Sequence, residues 1–213
     1  MTGSSSKRET FGHLAYVPKA SLAVIVLQEW WGLNDQIRGV CNRLQQAGYS
    51  AFAPDLYKGT NTLNEEEANH LMEGLDWDGA CDGDIAAAVD LLRKSHQKVA
   101  IMGFCMGGAL AIAAGTRVKG IDGVVAYYGI PPGGIAAGEK LSAPFLGHFA
   151  DKDGWITPAS VNELEQQLQR AQTPHSIFRY DADHAFANET GPHHDPAAAE
   201  LAWRRTVEFL KGL

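Results

Sequence analysis

Gly103-Phe104-Cys105-Met106-Gly107-Gly108 is the stretch of this 213-residue chain whose reading decides the fold. Ahead of it, Lys98-Val99-Ala100-Ile101-Met102 is short and, after its first residue, apolar; behind it, Ala109-Leu110-Ala111-Ile112-Ala113-Ala114 consists of helix formers and one isoleucine. The order is strand, tight turn, helix. A side chain at the apex of such a turn sits in a strained backbone conformation. Glycines flank it because a Cβ there collides with the neighbouring strand and helix. The apex carries a thiol where serine hydrolases carry a hydroxyl. The first N–H groups of the following helix, Met106's among them, lack partners within it and favour negative charge, so one geometry suits both a thiolate and an oxyanion. A buried structural cysteine is the plainer alternative. With 23 glycines and 3 cysteines, however, Gly-x-Cys-x-Gly arises by chance only about 0.03 times in such a chain.

Working outward, the apolar runs alternate with helical patterns along the whole chain. Phe11 to Val17 reads as an edge strand ended by Pro18, and Leu22 to Leu27 as a buried parallel strand. Asn34 is placed to cap a helix whose apolar face carries Ile37, Val40, Cys41 and Leu44 and which Gly48 stops. Tyr49 to Phe52 gives the next strand, and Asn64 to Leu75 and Cys81 to Leu92 give two helices. After the central turn come a strand from Gly123 to Tyr128 and a proline- and glycine-rich loop from Pro131 to Gly138. Strand Phe145 to Phe149, helix Ala159 to Gln169, strand His175 to Tyr180 and helix Ala197 to Leu210 complete the pattern. This predicts an α/β fold, a mostly parallel doubly wound sheet with helices on both faces, as one domain over 1–213 behind a polar, disordered tail over 1–10. In such sheets chemistry belongs at the carboxyl ends of the strands.

Composition narrows the function classes. A hydrophobic content of 45% fills a sizeable core, and a net charge of −7 with no basic patch speaks against nucleic acid and anionic membranes as partners. No run approaches transmembrane length and the N-terminus lacks the apolar core of a signal peptide, so a cytoplasmic protein, with a monomer as the simplest state, is expected. Cys41, Cys81 and Cys105 are too few and too irregularly spaced for a disulfide framework or a zinc site. No cofactor or metal is implied.

The thiol has candidate partners after two later strands. Asp151-Lys152-Asp153-Gly154-Trp155 follows one strand and Asp183-His184-Ala185-Phe186 follows the last. The chain order is nucleophile, acid, histidine. His184 is suited to take the thiol proton, with Asp153 fixing its tautomer and stabilising the imidazolium. Asp153 is preferred to Asp151 because it stands directly before Gly-Trp-Ile-Thr-Pro, where a turn can aim it inward. The adjacent His193 and His194 lack further ligand spacing and read as surface residues.

At these residues the chain resembles the dienelactone hydrolase family of the α/β-hydrolase superfamily, over about Leu22 to Leu213. The resemblance rests on Gln-Glu-x-x-Gly at Gln28 to Gly32, Pro-Asp-Leu-Tyr at Pro54 to Tyr57, Gly-Phe-Cys-Met-Gly-Gly at Gly103 to Gly108, Tyr-Tyr-Gly at Tyr127 to Gly129, Asp-x-x-Ile-x-Pro at Asp153 to Pro158 and His-x-Phe at His184 to Phe186. It implies a cofactor-free, single-domain α/β-hydrolase that opens lactones and esters through a Cys-His-Asp triad. It further implies that Glu29 lies beside the resting thiol and competes with the histidine for it; the plainer alternative is a carboxylate that is solvated or caps the Asn34 helix. By the same resemblance the Trp30 and Met106 backbone N–H groups form the oxyanion hole. Trp30, Trp31, Tyr127 and Trp155 are candidates to line the substrate pocket.

Two departures bear on substrate choice. Where family members that cleave dienelactone hold its carboxylate with arginines, this chain has Asn188 and the run Asn64-Glu65-Glu66-Glu67. Asn188 is thus the candidate substrate contact at the first position, and Arg38, Lys58 and Arg179 remain as cations to be placed. The expected activity is hydrolysis of a small-molecule ester or lactone through a thioester-linked acyl-enzyme, favouring stabilised leaving groups. An acyl thioesterase and a non-catalytic binding protein on the same scaffold are the alternatives.

Overall fold

The computed structural model describes residues 11–131, 141 and 143–213; the tail over 1–10 and the proline- and glycine-rich loop beyond Pro131 lie outside the described residues. Among the described residues seven strands, β1 (Gly12–Ala15), β2 (Leu22–Leu27), β3 (Ser50–Pro54), β4 (Lys98–Phe104), β5 (Gly123–Tyr127), β6 (Phe145–Ala150) and β7 (His175–Tyr180), form one sheet in the order β1-β3-β2-β4-β5-β6-β7. Only β1 runs antiparallel, against β3; the other pairings are parallel. The doubly wound α/β architecture expected from the alternating pattern is the one observed.

Strict alternation along the strands divides the core in two. Ala23, Ile25 and Leu27 of β2 and Val99 and Ile101 of β4 face one side, where they pack with α4 (Ala86–Arg93), α5 (Met106–Arg117) and α6 (Pro158–Arg170). Val24 and Val26 face the other, against α1 (Asp35–Gln46) and α7 (Pro196–Gly212). All six residues of β2 are buried, which is why it reads as an unbroken apolar run. Each of its leucine, valine and isoleucine side chains contributes about 1.5–3 kcal/mol by leaving water.

Local signals set the element ends. The Asn34 side chain accepts the Ile37 N–H at 3.2 Å and starts α1, while Gly48 leaves it with φ of 93°. The chain then continues through β3 to α2 (Glu65–Glu73), capped by Asn64. The helix expected from Cys81 begins differently: a short turn α3 (Trp77–Gly79) passes into a π-helical stretch (Ala80–Ile85) before α4. The sheet reverses its winding between β2 and β4, since β3 lies on one side of β2 and β4 on the other. That places a crevice beyond the carboxyl ends of these two strands.

Candidate active site

Strand register assembles the site. Leu27 of β2 lies opposite Gly103 of β4, so Glu29 and Cys105 each stand two residues beyond a shared level. Phe104 lies opposite Tyr127 of β5, which brings Tyr128 alongside Cys105. Cys105 has φ 51° and ψ −116°, outside the helical and strand regions, and its N–H donates to the Tyr127 carbonyl at 3.0 Å. The glycines explain how the elbow closes. A Cβ on Gly103 would run into the Gly107 carbonyl, and one on Gly107 would lie 2.5 Å from the carbonyl oxygens of Leu27 and Gln28.

From the sulfur, a chain of contacts runs across two further strand ends. His184 Nε2 lies 3.2 Å from Cys105 Sγ, and His184 Nδ1 lies 2.6 Å from Asp153 Oδ2. The second Asp153 oxygen accepts the N–H groups of Trp155 at 2.8 Å and Ile156 at 2.9 Å, so the turn after β6 fixes the carboxylate. Asp153 is buried, whereas Asp151 is exposed. His193 is also exposed and His194 half-buried.

Electrostatics follow from these contacts. Burial raises the Asp153 pKa, but the hydrogen bond and charge of His184 and the two backbone N–H groups outweigh it, leaving the carboxyl below its ordinary value. For His184, burial works against the charged form; the hydrogen bonds to Asp153 and Cys105 overcome it and push the imidazole up to about 10. Both contacts therefore favour the imidazolium over the neutral ring. Burial drives the other two thiols the opposite way from reactivity, Cys41 up to about 12 and Cys81 up to about 11.

Glu29 is buried at 2% exposure. Its Oε1 accepts the Tyr128 hydroxyl at 3.0 Å and its Oε2 the Asn188 amide at 2.7 Å. Burial raises its pKa, and those two hydrogen bonds and the charge of His184 offset that only in part, so the carboxyl stays above its ordinary value. The hydrogen bond expected between Glu29 and the resting thiol is thus replaced: the sulfur pairs with His184, and both carboxylate oxygens are engaged elsewhere.

A family model described as the dienelactone hydrolase family matches residues 11–213. The chain belongs to the dienelactone hydrolase family. "Protein usf" of Aquifex pyrophilus is 32% identical over 212 residues, covering 94% of this chain and 92% of that protein. A Saccharolobus solfataricus protein, provisionally named a carboxymethylenebutenolidase, is 32% identical over 239 residues, covering 93% and 92%. Among solved structures, a Klebsiella pneumoniae protein provisionally described as a dienelactone hydrolase superposes with a TM-score of 0.80 at 26% identity, covering 91% of this chain and 87% of that one. This family member has the α/β-hydrolase fold and is a hydrolase acting on ester bonds of small molecules.

With the family established, the remaining candidate residues take their places. Trp30 N–H donates no hydrogen bond among the described residues, and Met106 N–H opens α5, where no helical partner exists. The Trp30 ring stacks edge-on with Trp31 at 5.0 Å and with Trp155 at 5.4 Å, and Trp155 lies 5.3 Å from the His184 ring. Trp155 is 61% exposed, so this aromatic wall opens to solvent beside the cluster of Cys105, His184 and Asp153.

Two substrate-contact expectations are corrected. Tyr127 does not line the site: its hydroxyl bonds Thr206 at 2.7 Å in the core between β5 and α7. Tyr128 is the tyrosine there, with φ of 37° just past the strand and its ring 5.2 Å from His184. Only the Tyr-Tyr doublet itself, with its two side chains necessarily aimed apart, could have signalled this from sequence. Asn188 is 3% exposed and bound to Glu29, with its Oδ1 accepting the Thr190 N–H at 3.0 Å and hydroxyl at 2.8 Å. It holds a protein carboxylate instead of facing substrate.

The three cations have partners of their own. Lys58 pairs with Asp84 at 2.5 Å, Arg179 bonds Asn162 at 2.6 Å, and Arg38 stands 4.0 Å from Asp35. Among the described residues no group of three or more His, Cys, Asp or Glu is placed to hold a metal ion. No helix among them is long and apolar enough to cross a membrane.

Proposed function

We propose that the protein hydrolyses a carboxylic ester or lactone through a thioester formed on Cys105. The observation that carries this is the continuous contact from Cys105 Sγ through His184 to Asp153, at 3.2 and 2.6 Å, on a strained turn of a dienelactone hydrolase family fold. The thiolate attacks the carbonyl carbon, and the resulting oxyanion is held by the N–H groups of Trp30 and Met106. Collapse breaks the bond to the substrate's oxygen, which departs with the proton of His184. Neutral His184 then takes a proton from water as it attacks the thioester, releasing the acid and restoring the thiol pair. Asp153 keeps the imidazole oriented throughout.

Sulfur at the nucleophile position sets the substrate class. A thiolate is a better leaving group than an alkoxide, so the tetrahedral intermediate goes forward when the expelled oxygen is stabilised, as in aryl esters and enol lactones. The wall of Trp30, Trp31 and Trp155 suits planar, apolar groups. Lys58, Arg179 and Arg38 each have a protein partner, so none of these three is held in reserve for a substrate carboxylate. A hydrolysis screen of aryl, enol, alkyl and thioester substrates against Cys105→Ala tests the reading. Hydrolysis of activated esters by wild type and none by the variant is expected; equal rates refute it. Faster turnover of acyl thioesters than of every oxygen ester would make the protein a thioesterase instead.

A further inference from the structure

Beyond Cys105, His184 and Asp153, one buried carboxyl group stands without a lysine or arginine partner among the described residues. Among the described residues Glu29 forms no ion pair with lysine or arginine, yet it is almost fully removed from water at the edge of the reacting cluster. A carboxylate so placed either takes up a proton or must be held ionised by strong donors. Two neutral donors reach it, one on each oxygen: the Tyr128 hydroxyl from beyond β5, and the Asn188 amide from the segment after β7.

The orientation of that amide is dictated by its other end. Asn188 Oδ1 accepts both the backbone N–H and the hydroxyl of Thr190, so only the NH₂ group is available to face Glu29. Tyr128 serves two neighbours, donating to Glu29 while its ring packs edge-on against His184. The charged and titratable groups that act on Glu29 are His184, whose positive charge favours the carboxylate, and Glu189, which opposes it. Those in hydrogen-bond contact with His184 are Asp153 and Cys105, with the rings of Tyr128 and Trp155 beside it.

We propose that Asn188, locked by Thr190, is a positioning residue that keeps Glu29 ionised and clear of the sulfur, so that Glu29 joins Asp153 in holding His184 protonated. This rests on the hydrolase reading, because the proton so held is the one delivered to the leaving oxygen. It makes the thiol–imidazole pair ready before substrate arrives. Loss of the Asn188 donor leaves Glu29 with one hydrogen bond in a dry site, where it takes a proton and its support for the imidazolium disappears.

The test reads His184 directly in the substrate-free protein. Imidazole nitrogen shifts of histidine-labelled protein are followed against pH by NMR, with His184 assigned from the spectrum of His184→Ala. Glu29→Gln is expected to lower the His184 midpoint measurably but by less than the loss of Asp153 does, because Glu29 reaches the imidazole only across Tyr128 and makes no hydrogen bond to it. Asn188→Leu, close to isosteric but without the donor, is expected to lower it similarly in the wild-type background and to do nothing further in the Glu29→Gln background. An unchanged midpoint in either single variant overturns the proposal. So does an equal displacement by Asn188→Leu in both backgrounds, since a merely structural role does not depend on the charge at Glu29. Should Asn188→Leu fail to fold cooperatively, Asn188→Ala is read by the same criteria, and Glu29→Gln decides by itself whether the carboxylate acts on the histidine. Because no substrate is present, a shifted midpoint with no ester hydrolysis in wild type counts against the proposed function alone. Hydrolysis with an unshifted midpoint counts against this role of Asn188 alone.

Discussion

Replacing Asp153 by asparagine isolates the acid's contribution without changing its shape. The oxygen of the new amide can still accept the N–H groups of Trp155 and Ile156, which turns its NH₂ toward His184 Nδ1. Two consequences follow. A carboxylate within hydrogen-bond distance raises its partner's pKa by about one to three units, so the His184 midpoint should fall from about 10 by roughly two units. At about 1.36 kcal/mol per unit that is about 3 kcal/mol of imidazolium stabilisation lost. The amide also favours the tautomer with its proton on Nε2, the wrong side for accepting a proton, and the corresponding change in a serine protease triad costs about 10⁴ in kcat. Thiols need less help from their base, so a loss of about 10²–10⁴ is expected here. The assay is kcat/KM for an aryl ester from mildly acid to strongly alkaline pH. Wild type should hold its rate until the pH passes through about 10 and the histidine loses its proton. The variant's alkaline limb should move toward neutrality. A variant that keeps the wild-type limb and rate would remove Asp153 from the mechanism, and loss on Asp151→Asn instead would name the exposed neighbour as the acid.

Other perturbations read separate parts of the structure. Iodoacetamide should modify Cys105 and abolish activity while sparing Cys41 and Cys81, whose buried thiols titrate near 12 and 11; peptide mapping decides, and early labelling of either would contradict the burial argument. His148, buried on β6 between Tyr180 and Thr206 and beneath Tyr128, is driven by burial and by Arg205 down to about 3. Since its folded value lies below the ordinary 6.5, the unfolded chain binds the extra proton between the two, and stability should decline as pH falls from about 6.5 toward 3. In His148→Gln, urea unfolding should show a flatter acid decline, with about 1–3 kcal/mol less stability at neutral pH from the lost hydrogen bonds. Aryl esters should exceed alkyl esters of the same acid in kcat/KM by about 100-fold, since only the former release an oxygen comparable to a thiolate; equal rates would defeat the leaving-group argument.

Much of this was legible in the sequence, for identifiable reasons. Buried parallel strands announce themselves as apolar runs, and Asn34, Gly48 and Gly103 are residues whose local chemistry nearly dictates their geometry. Cys105, Asp153 and His184 lie one, three and four residues after strand ends, so topology brings them to one edge of the sheet. What stayed hidden depends on side-chain direction and on tertiary contact. A positive φ at Tyr128 follows the strand phase of Tyr127, so the two tyrosines of one doublet fall to different tasks. Asn188 stands 159 positions from Glu29, and nothing local tells an amide that faces a protein carboxylate from one that faces substrate. The expectation that Glu29 would meet the thiol came from resemblance; the neutral donors on both of its oxygens are tertiary contacts that no local pattern announces.

The central claim, a covalent acyl group on Cys105, is open to one direct measurement. An activated aryl ester is mixed with the protein, quenched with acid before the first turnover is complete, and the digested protein is analysed by mass spectrometry. The acyl mass should appear on the peptide containing Cys105, be released by neutral hydroxylamine as a thioester is, and be absent from Cys105→Ala. Phenol release with Cys105 unmodified at every quench time, or the acyl group found on another residue, would contradict it.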